Sequence, residues 1–186
     1  MKALKHARAI ILLPGMATLV IPGTIVWGTS SVHVGWSLPF PFNLGPLLLG
    51  LLLLGFGLGL GLKTVLLLAT LGRGTLAPWN PTRKLVTQGV YRYVRNPMIS
   101  SVFFILLGEA ILLGSLPLLL WFIIFVGLNL VYIPRFEEPG LKRRFGPKYL
   151  RYQQHVPRWL PRLRPWAGPS TAEATGEAPV DSEQTG

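Results

Sequence analysis

Four long apolar runs dominate this chain and leave it few ways to fold. They cover residues 9–28, 44–71, 98–113 and 116–133. The chain is 50% hydrophobic and only 13% charged, which is too apolar for an ordinary water-soluble domain. Because a helix needs about 20 apolar residues to cross a bilayer, the runs predict an all-α, polytopic membrane bundle of about four transmembrane helices. A signal peptide is the alternative for the first run, but its length favours a transmembrane helix.

The basic residues fall almost entirely between the apolar runs. Three precede the first run, five lie in 72–97 and nine in 134–166, whereas 29–43 and 114–117 contain none. Because Lys and Arg accumulate on the cytoplasmic side of membrane proteins, this alternation predicts cytoplasmic N- and C-termini. It also explains the net charge of +11 without nucleic acid, since no nucleic-acid-binding module surrounds these residues. We therefore predict no nucleic-acid partner.

Two charged residues and several glycines stand inside the apolar runs. Lys63 either reaches the membrane surface with its long side chain or pairs with Glu109 of the next run, and the sequence leaves both possibilities open. Glycines four residues apart allow another helix to approach closely, which predicts helix packing in the second run. The two pairs with this spacing are Gly55 with Gly59 and Gly57 with Gly61.

The C-terminal part predicts a helix on the membrane surface over residues 136–152, because apolar and aromatic residues recur on one face. These residues are Leu141, Phe145, Tyr149 and Tyr152. Trp159 and Trp166, in the proline-rich segment that comes next, are predicted to lie at the level of the lipid headgroups. From Gly168 onward the composition predicts disorder. We divide the chain into a membrane domain, 1–166, and a disordered tail, 167–186.

Several common types of active site are excluded by composition. The chain has no cysteine, so it has no thiol nucleophile and no cysteine zinc site. His6, His33 and His155 are far apart and lack spaced carboxylate partners. We therefore predict no metal site.

A polar, Arg-containing segment before the third run and an acidic pair after the fourth carry the strongest functional signal. Because a helical hairpin between them returns the chain to the same side, the two clusters are predicted to meet. Over about residues 72–162 their pattern resembles the isoprenylcysteine carboxyl methyltransferase and phospholipid methyltransferase superfamily. The residues that carry the resemblance are Gly89, Tyr91, Arg95, Asn96, Pro97, Glu137, Glu138, Leu141, Phe145, Gly146, Tyr149, Tyr152, Val156, Pro157 and Arg158.

The resemblance implies an integral membrane enzyme that transfers a methyl group from S-adenosylmethionine. Its acceptor would be hydrophobic or lipid-like, of the prenylcysteine carboxylate or phospholipid amine type, and its partners would be the bilayer and that acceptor. Arg95 and Asn96 are the implied catalytic residues. The implied cofactor-binding residues are Arg83, Lys84, Leu85, Val86, Tyr91, Asn96, Pro97, Met98, Ile99, Glu137 and Glu138.

Within the acidic pair, the two side chains are predicted to act differently. Glu137 is the better acceptor for hydroxyl or amino groups of the cofactor. Glu138 points about 100° away on a helix and is predicted to hold Arg95 or a basic residue of the C-terminal segment.

Two positions depart from the family pattern. The common Arg-His-Pro-x-Tyr reads Arg95-Asn96-Pro97-Met98-Ile99 here, so the histidine and the tyrosine are absent. Because asparagine does not titrate near neutral pH, a mechanism that uses this histidine as a proton carrier does not transfer to this chain. Two alternatives stay open: a non-catalytic membrane scaffold, and a membrane reductase related to sterol reductases, which would need a nicotinamide cofactor.

Overall fold

The computed structural model describes residues 14–30, 32–71 and 85–168. Within these ranges the chain is helical and contains no strand. Three predictions fall at least partly outside the described residues. They concern the first part of the first apolar run, the cofactor-binding residues Arg83 and Lys84, and nearly all of the C-terminal tail.

Six α-helices make up the described fold. They are α1 (Ile21–Thr29), α2 (Leu44–Leu71), α3 (Pro97–Leu113), α4 (Leu116–Tyr132), α5 (Glu138–Phe145) and α6 (Pro147–His155). Shorter helical turns connect them: a π-helical turn, Met16–Val20, leads into α1, a 3-10 turn, Gly89–Arg92, precedes α3, and a π-helical turn, Ile133–Glu137, joins α4 to α5. The second apolar run coincides with α2, and the third and fourth match α3 and α4 to within one residue at each end.

The long helices present apolar side chains outward. Among the described residues, two helical stretches are long and apolar enough to cross a membrane, α2 and the continuous stretch Leu116–Phe145, while α3 is apolar but shorter. Leu52, Leu58 and Leu128 are each at least 60% exposed. Exposed apolar surface of this extent is unfavourable in water and suits contact with lipid. The described part therefore fits the predicted all-α membrane bundle, with the apolar part of the second stretch ending at Tyr132.

Glycines allow α2 and α3 to form the most extensive helix contact in the described chain. A Cβ atom added to Gly50 would lie 2.9 Å from the backbone of Leu112, and one added to Gly57 would lie 2.9 Å from the carbonyl oxygen of Ser101. Gly61 also faces Ser101, which confirms the pair Gly57 and Gly61 as a packing face.

The other predicted glycine pair packs on no helix in the described part of the chain. A Cβ atom at Gly55 or Gly59 would meet no described residue within 4 Å, so the predicted helix contact through this pair is not found there. Two residues along a helix correspond to a rotation of about 200°. Gly55 and Gly59 are therefore turned away from the face of α2 that Gly57 presents to α3.

Lys63 and Glu109 do not pair, since no ion pair joins them in the described chain. Gly61 faces Ser101 near the start of α3, whereas Gly108 contacts Leu54. Glu109 is therefore about nine residues, or roughly 14 Å, from Lys63 along the bundle. Lys63 is exposed near the level at which α3 begins, as expected for a side chain that reaches the membrane surface.

The hairpin of α3 and α4 turns at Gly114, which has a φ of +57°. A Cβ atom there would collide with the carbonyl oxygen of His33, so only glycine fits. The backbone nitrogen of His33 donates to Leu113 at 2.8 Å, and the indole nitrogen of Trp36 donates to the carbonyl of Ile111 at 3.1 Å. These hydrogen bonds hold the segment before α2 against the C-terminal end of α3. Residues 85–96 precede α3 and lie at its N-terminal end.

The helix predicted over residues 136–152 is interrupted, so the prediction of one continuous helix is wrong. Gly146 has a φ of +52° and a ψ of −132°, and Pro147 has no N–H with which to continue the helical hydrogen bonding. The predicted shared face is nevertheless confirmed, because Leu141 and Phe145 pack against the buried Tyr149 and Tyr152.

Candidate active site

Arg95, just before α3, and Glu138, at the start of α5, form the centre of the candidate site. Arg95 Nη1 donates to Glu138 Oε1 at 2.8 Å. The side chains are 8% and 5% exposed, so the ion pair is buried. The prediction that the Arg-containing segment and the acidic pair meet is therefore confirmed. It follows from the hairpin of α3 and α4, which returns the chain to the end from which it started.

Glu138 also binds residues of the C-terminal part. Arg158 donates to both of its oxygens, from Nε at 2.7 Å and from Nη2 at 2.8 Å, and Gln153 Nε2 donates to Oε2 at 3.3 Å. This two-pronged arginine–carboxylate geometry is among the stronger side-chain contacts in proteins. The prediction that Glu138 holds Arg95 or a basic residue of the C-terminal segment is confirmed for both partners.

The charges of this cluster shift the pKa values of its members. Burial alone would raise the pKa of Glu138, but the hydrogen bond from Arg158 and the nearby charge of Arg95 bring it below its usual value near 4.5. The same hydrogen bond raises the pKa of Arg158. Glu138 is therefore ionised between two cations, and the cluster carries a net positive charge.

Two tyrosines of α6 hold the segment before α3. Tyr152 Oη donates to the carbonyl oxygen of Tyr91 at 2.7 Å, and Arg95 Nη1 donates to Tyr149 Oη at 3.4 Å. Burial raises the pKa of both α6 tyrosines, so they remain neutral donors and acceptors at physiological pH. Together these contacts fix the backbone at Tyr91 and the side chain of Arg95.

The C-terminal segment, residues 156–166, follows α6 and folds back along residues 92–95. The backbone nitrogen of Arg95 donates to Pro157 at 2.9 Å, that of Arg162 to Tyr93 at 3.0 Å, and that of Trp166 to Arg92 at 3.0 Å. Residue numbers rise along one segment as they fall along the other, so the two segments run antiparallel. The C-terminal segment therefore covers this end of the bundle.

The two tryptophans of this segment lie against protein. Trp166 is 9% exposed and packs on the rings of Tyr152 and His155, so its ring contacts protein, and its position at the headgroup level stays a prediction. Trp159 lies against Phe103 of α3, with 5.3 Å between the ring centroids. Both residues help to hold the C-terminal segment on the bundle.

Glu137 and Tyr91 are neighbours on the same end of the molecule. Glu137 is half-buried, and burial together with the negative charge of Glu138 raises its pKa. Tyr91 is buried with Leu68 and Val86, and burial and the charge of Glu137 raise its pKa. No ion pair forms to Glu137 in the described chain. Of the acidic pair, it therefore has the carboxylate better placed to accept hydrogen bonds from a ligand.

The remaining predicted site residues form two separate groups. Leu85 and Val86 line a cavity of about 200 Å³ with Leu71, Thr87 and Gln88. Pro97 and Met98 are buried at the start of α3, with Asn96 and Ile99 half-buried on either side. None of the residues from Asn96 to Ile99 lines that cavity. The amide of Asn96 makes no capping bond to α3.

Arg158 and Gln153 were not among the predicted site residues. Arg158 belongs to the motif that carries the resemblance, so the sequence could have identified it as a site residue. Nothing in the sequence pointed to Gln153, because its contact with Glu138, fifteen positions earlier, depends on the break at Gly146.

The chain matches a known protein family. The sequence profile of phospholipid methyltransferases matches residues 46–148, which is more than half of the chain. A search of curated proteins gives no match. The matched range begins in α2 and ends at the start of α6, so it includes Arg95, Glu137 and Glu138 and excludes Arg158.

Proposed function

The chain belongs to the phospholipid methyltransferase family, and we propose that it uses S-adenosylmethionine to methylate a hydrophobic acceptor at the membrane surface. The family and the apolar helices make it an integral membrane methyltransferase that acts on lipid-like substrates. The observation that carries the finer proposal is the buried contact of Arg95 with Glu138. This contact keeps Tyr91, Asn96 and Glu137 together at one end of the bundle.

The residues at this end fit such a cofactor. A carboxylate accepts hydrogen bonds from paired hydroxyls or from an ammonium group, and Glu137 has no ionic partner in the described chain. Arg95 Nε is buried without a hydrogen-bond partner among the described residues and is a further donor for an acidic group. We propose that Glu137 binds the hydroxyl or amino groups of the cofactor, with Tyr91 beside it.

When bound, S-adenosylmethionine supplies a methyl group on a positively charged sulfur, and transfer to oxygen or nitrogen of the acceptor breaks the carbon–sulfur bond. The chain's own contribution is to hold the reactants together and to exclude water, and positioning alone can be worth about 7–11 kcal/mol. In our proposal Glu138, with its two arginines, positions Arg95, and the C-terminal segment covers the site.

Asn96 offers a hydrogen bond to the acceptor but cannot take its proton. A carboxylate acceptor needs no base for methylation, whereas an ammonium group must first lose a proton. Arg95 and Asn96 are therefore proposed to orient the acceptor, and no proton transfer is assigned to either.

The proposed topology has four transmembrane helices, with the candidate site and both termini in the cytoplasm. The alternation of basic and uncharged loops supports this orientation. The contact between Arg95 and Glu138 is consistent with it, because it requires both segments to lie on the same side. We propose residues 1–166 as the membrane domain and 167–186 as an appended tail.

The test is binding of S-adenosylhomocysteine to the purified protein in detergent, measured by calorimetry. We expect Glu137→Gln to weaken binding by about tenfold or more, because a hydrogen bond to a charged group is lost. Lys148→Gln changes an exposed charge on α6 and serves as the control with unchanged affinity. Absence of binding in the folded, unmodified protein would contradict the proposed cofactor.

The acceptor is identified by mass spectrometry of lipids from cells with and without the protein. We expect a lipid class that gains one methyl group only when the protein is present. The same comparison with Glu137→Gln separates the activity of this protein from indirect effects on lipid composition, because the variant is expected to lose the product while remaining in the membrane.

A further inference from the structure

A second candidate site lies between the Gly89–Arg92 turn and α2. An open groove of about 510 Å³ is bounded by the last part of α2, by residues 89–93 and by Pro165 of the C-terminal segment. Arg95, Glu137 and Glu138 do not line it. The groove is therefore distinct from the candidate active site, and a ligand bound there need not take part in methyl transfer.

Two positive charges face this groove without an acidic neighbour. Lys63 and Arg92 line it, and no Asp or Glu is among the described residues that do so. Lys63 is exposed and forms no ion pair in the described chain. Arg92 donates from Nε to the carbonyl oxygen of Trp166 at 2.6 Å, which fixes the side chain and leaves its two terminal nitrogens for an anion. Charge complementarity therefore favours an anionic ligand.

The groove lies where lipid headgroups are expected. α2 has 28 residues, so it is roughly 42 Å long and exceeds the hydrocarbon core of about 30 Å. Gly61 faces Ser101, so Lys63 lies near the level at which α3 begins. Leu66 and Leu67 form an apolar wall of the groove beside Lys63, and Leu66 is 54% exposed. Cations thus adjoin an apolar surface at the membrane boundary.

We propose that this groove binds one membrane phospholipid through its phosphate. Lys63 and Arg92 contact the phosphate oxygens, and Leu66 and Leu67 contact the adjoining part of an acyl chain. Because Arg92 is bonded to Trp166, and Pro165 lines the same groove, the lipid links α2 to the C-terminal segment. The bound lipid would thereby help to keep that segment on the bundle.

The experiment titrates the full chain in detergent micelles with short-chain phosphatidylglycerol and counts bound lipid by native mass spectrometry. We expect one tightly bound lipid. Lys63→Gln and Arg92→Gln should each weaken binding about fivefold, the effect expected for one cation near a lipid phosphate. Lys63→Arg keeps the charge and should bind as the unmodified protein does. Lys148→Gln makes the same charge change outside the groove and should have no effect.

Three results would overturn the proposal. The first is equal binding by Lys63→Gln and the unmodified protein. The second is equally tight binding of a diacylglycerol with the same chains, which would show that the phosphate is not recognised. The third is displacement of the lipid by inorganic phosphate at the same concentration, which would show a phosphate site with no preference for lipid. Thermal unfolding of each variant verifies that the bundle is intact.

Discussion

Arg95 donates a hydrogen bond to Glu138 across 2.8 Å, although 43 positions separate the two residues in the chain. The hairpin of α3 and α4 brings them to the same end of the bundle. Arg158, a further 20 positions along, binds the same carboxylate with two hydrogen bonds. One buried carboxylate thus joins the start of α3, the start of α5 and the C-terminal segment.

Glu138→Gln should destabilise the protein strongly. The substitution leaves two arginines without their counter-charge, and removal of one partner from a buried ion pair typically costs about 3–5 kcal/mol. Because Arg158 is 28% exposed and can be partly solvated, we expect about 3 kcal/mol, the lower end of that range. Thermal unfolding in detergent measures the effect as a fall in Tm.

Glu137→Gln is the matched control for this prediction, because it makes the same chemical change at the adjacent residue. No ion pair forms to Glu137 in the described chain, so its Tm should fall much less. Equal losses of Tm in the two variants would show that the ion pair with Arg95 and Arg158 contributes little to stability.

The contribution of Glu138 to stability should depend on pH. Its pKa in the folded protein lies below the usual value near 4.5, so its charge stabilises the fold fully above about pH 4.5. The contribution is lost as the pH falls through the folded pKa. The difference in Tm between the unmodified protein and Glu138→Gln should therefore shrink as the pH is lowered below 4.5. A difference that stays constant in this range would contradict the assignment.

The extents of α2, α3 and α4 could be predicted because the apolar runs end at clear signals. Pro97 opens α3, and Gly114 with Ser115 forms the turn before α4. The break at Gly146 could not be predicted from periodicity, because Leu141 and Tyr149 remain on one packed face on either side of it. Because the chain changes direction at Gly146 while Leu141 and Tyr149 stay on one packed face, the apolar repeat in the sequence continues through the break.

The centre of the candidate site was predictable for a topological reason, since a hairpin of two spans returns to its starting side. Its other partners depend on contacts made after the last span. Gln153 reaches Glu138 only because α6 turns at Gly146, and nothing in the spacing indicates that turn's direction. Likewise, Gly55 and Gly57 are each followed by another glycine four residues later, and only the position of α3 decides which of them packs.

Gly57→Ala should weaken the contact between α2 and α3. The added methyl group would lie 2.8 Å from the side chain of Ile105 and 2.9 Å from the carbonyl oxygen of Ser101, so the helices must move apart. We expect a loss of about 1–3 kcal/mol, measured as a lower Tm in detergent.

Gly59→Ala is the control for this substitution, because a Cβ atom there meets no described residue within 4 Å. The higher helix propensity of alanine should leave its Tm unchanged or slightly raised. If Gly59→Ala is as damaging as Gly57→Ala, the face of α2 that contacts α3 has been assigned incorrectly.

Tyr152→Phe tests whether α6 positions the segment that contains Tyr91. The substitution removes the hydroxyl that donates to the carbonyl of Tyr91 at 2.7 Å and leaves that buried acceptor unpaired, at a cost of about 1–3 kcal/mol. Because the same backbone carries Tyr91 beside Glu137, we expect weaker binding of S-adenosylhomocysteine together with a lower Tm. Tyr132→Phe removes a hydroxyl from a ring that is 52% exposed and stacks on Phe136, and it should change neither quantity. A normal Tm and normal affinity in Tyr152→Phe would show that this hydrogen bond does not hold the site.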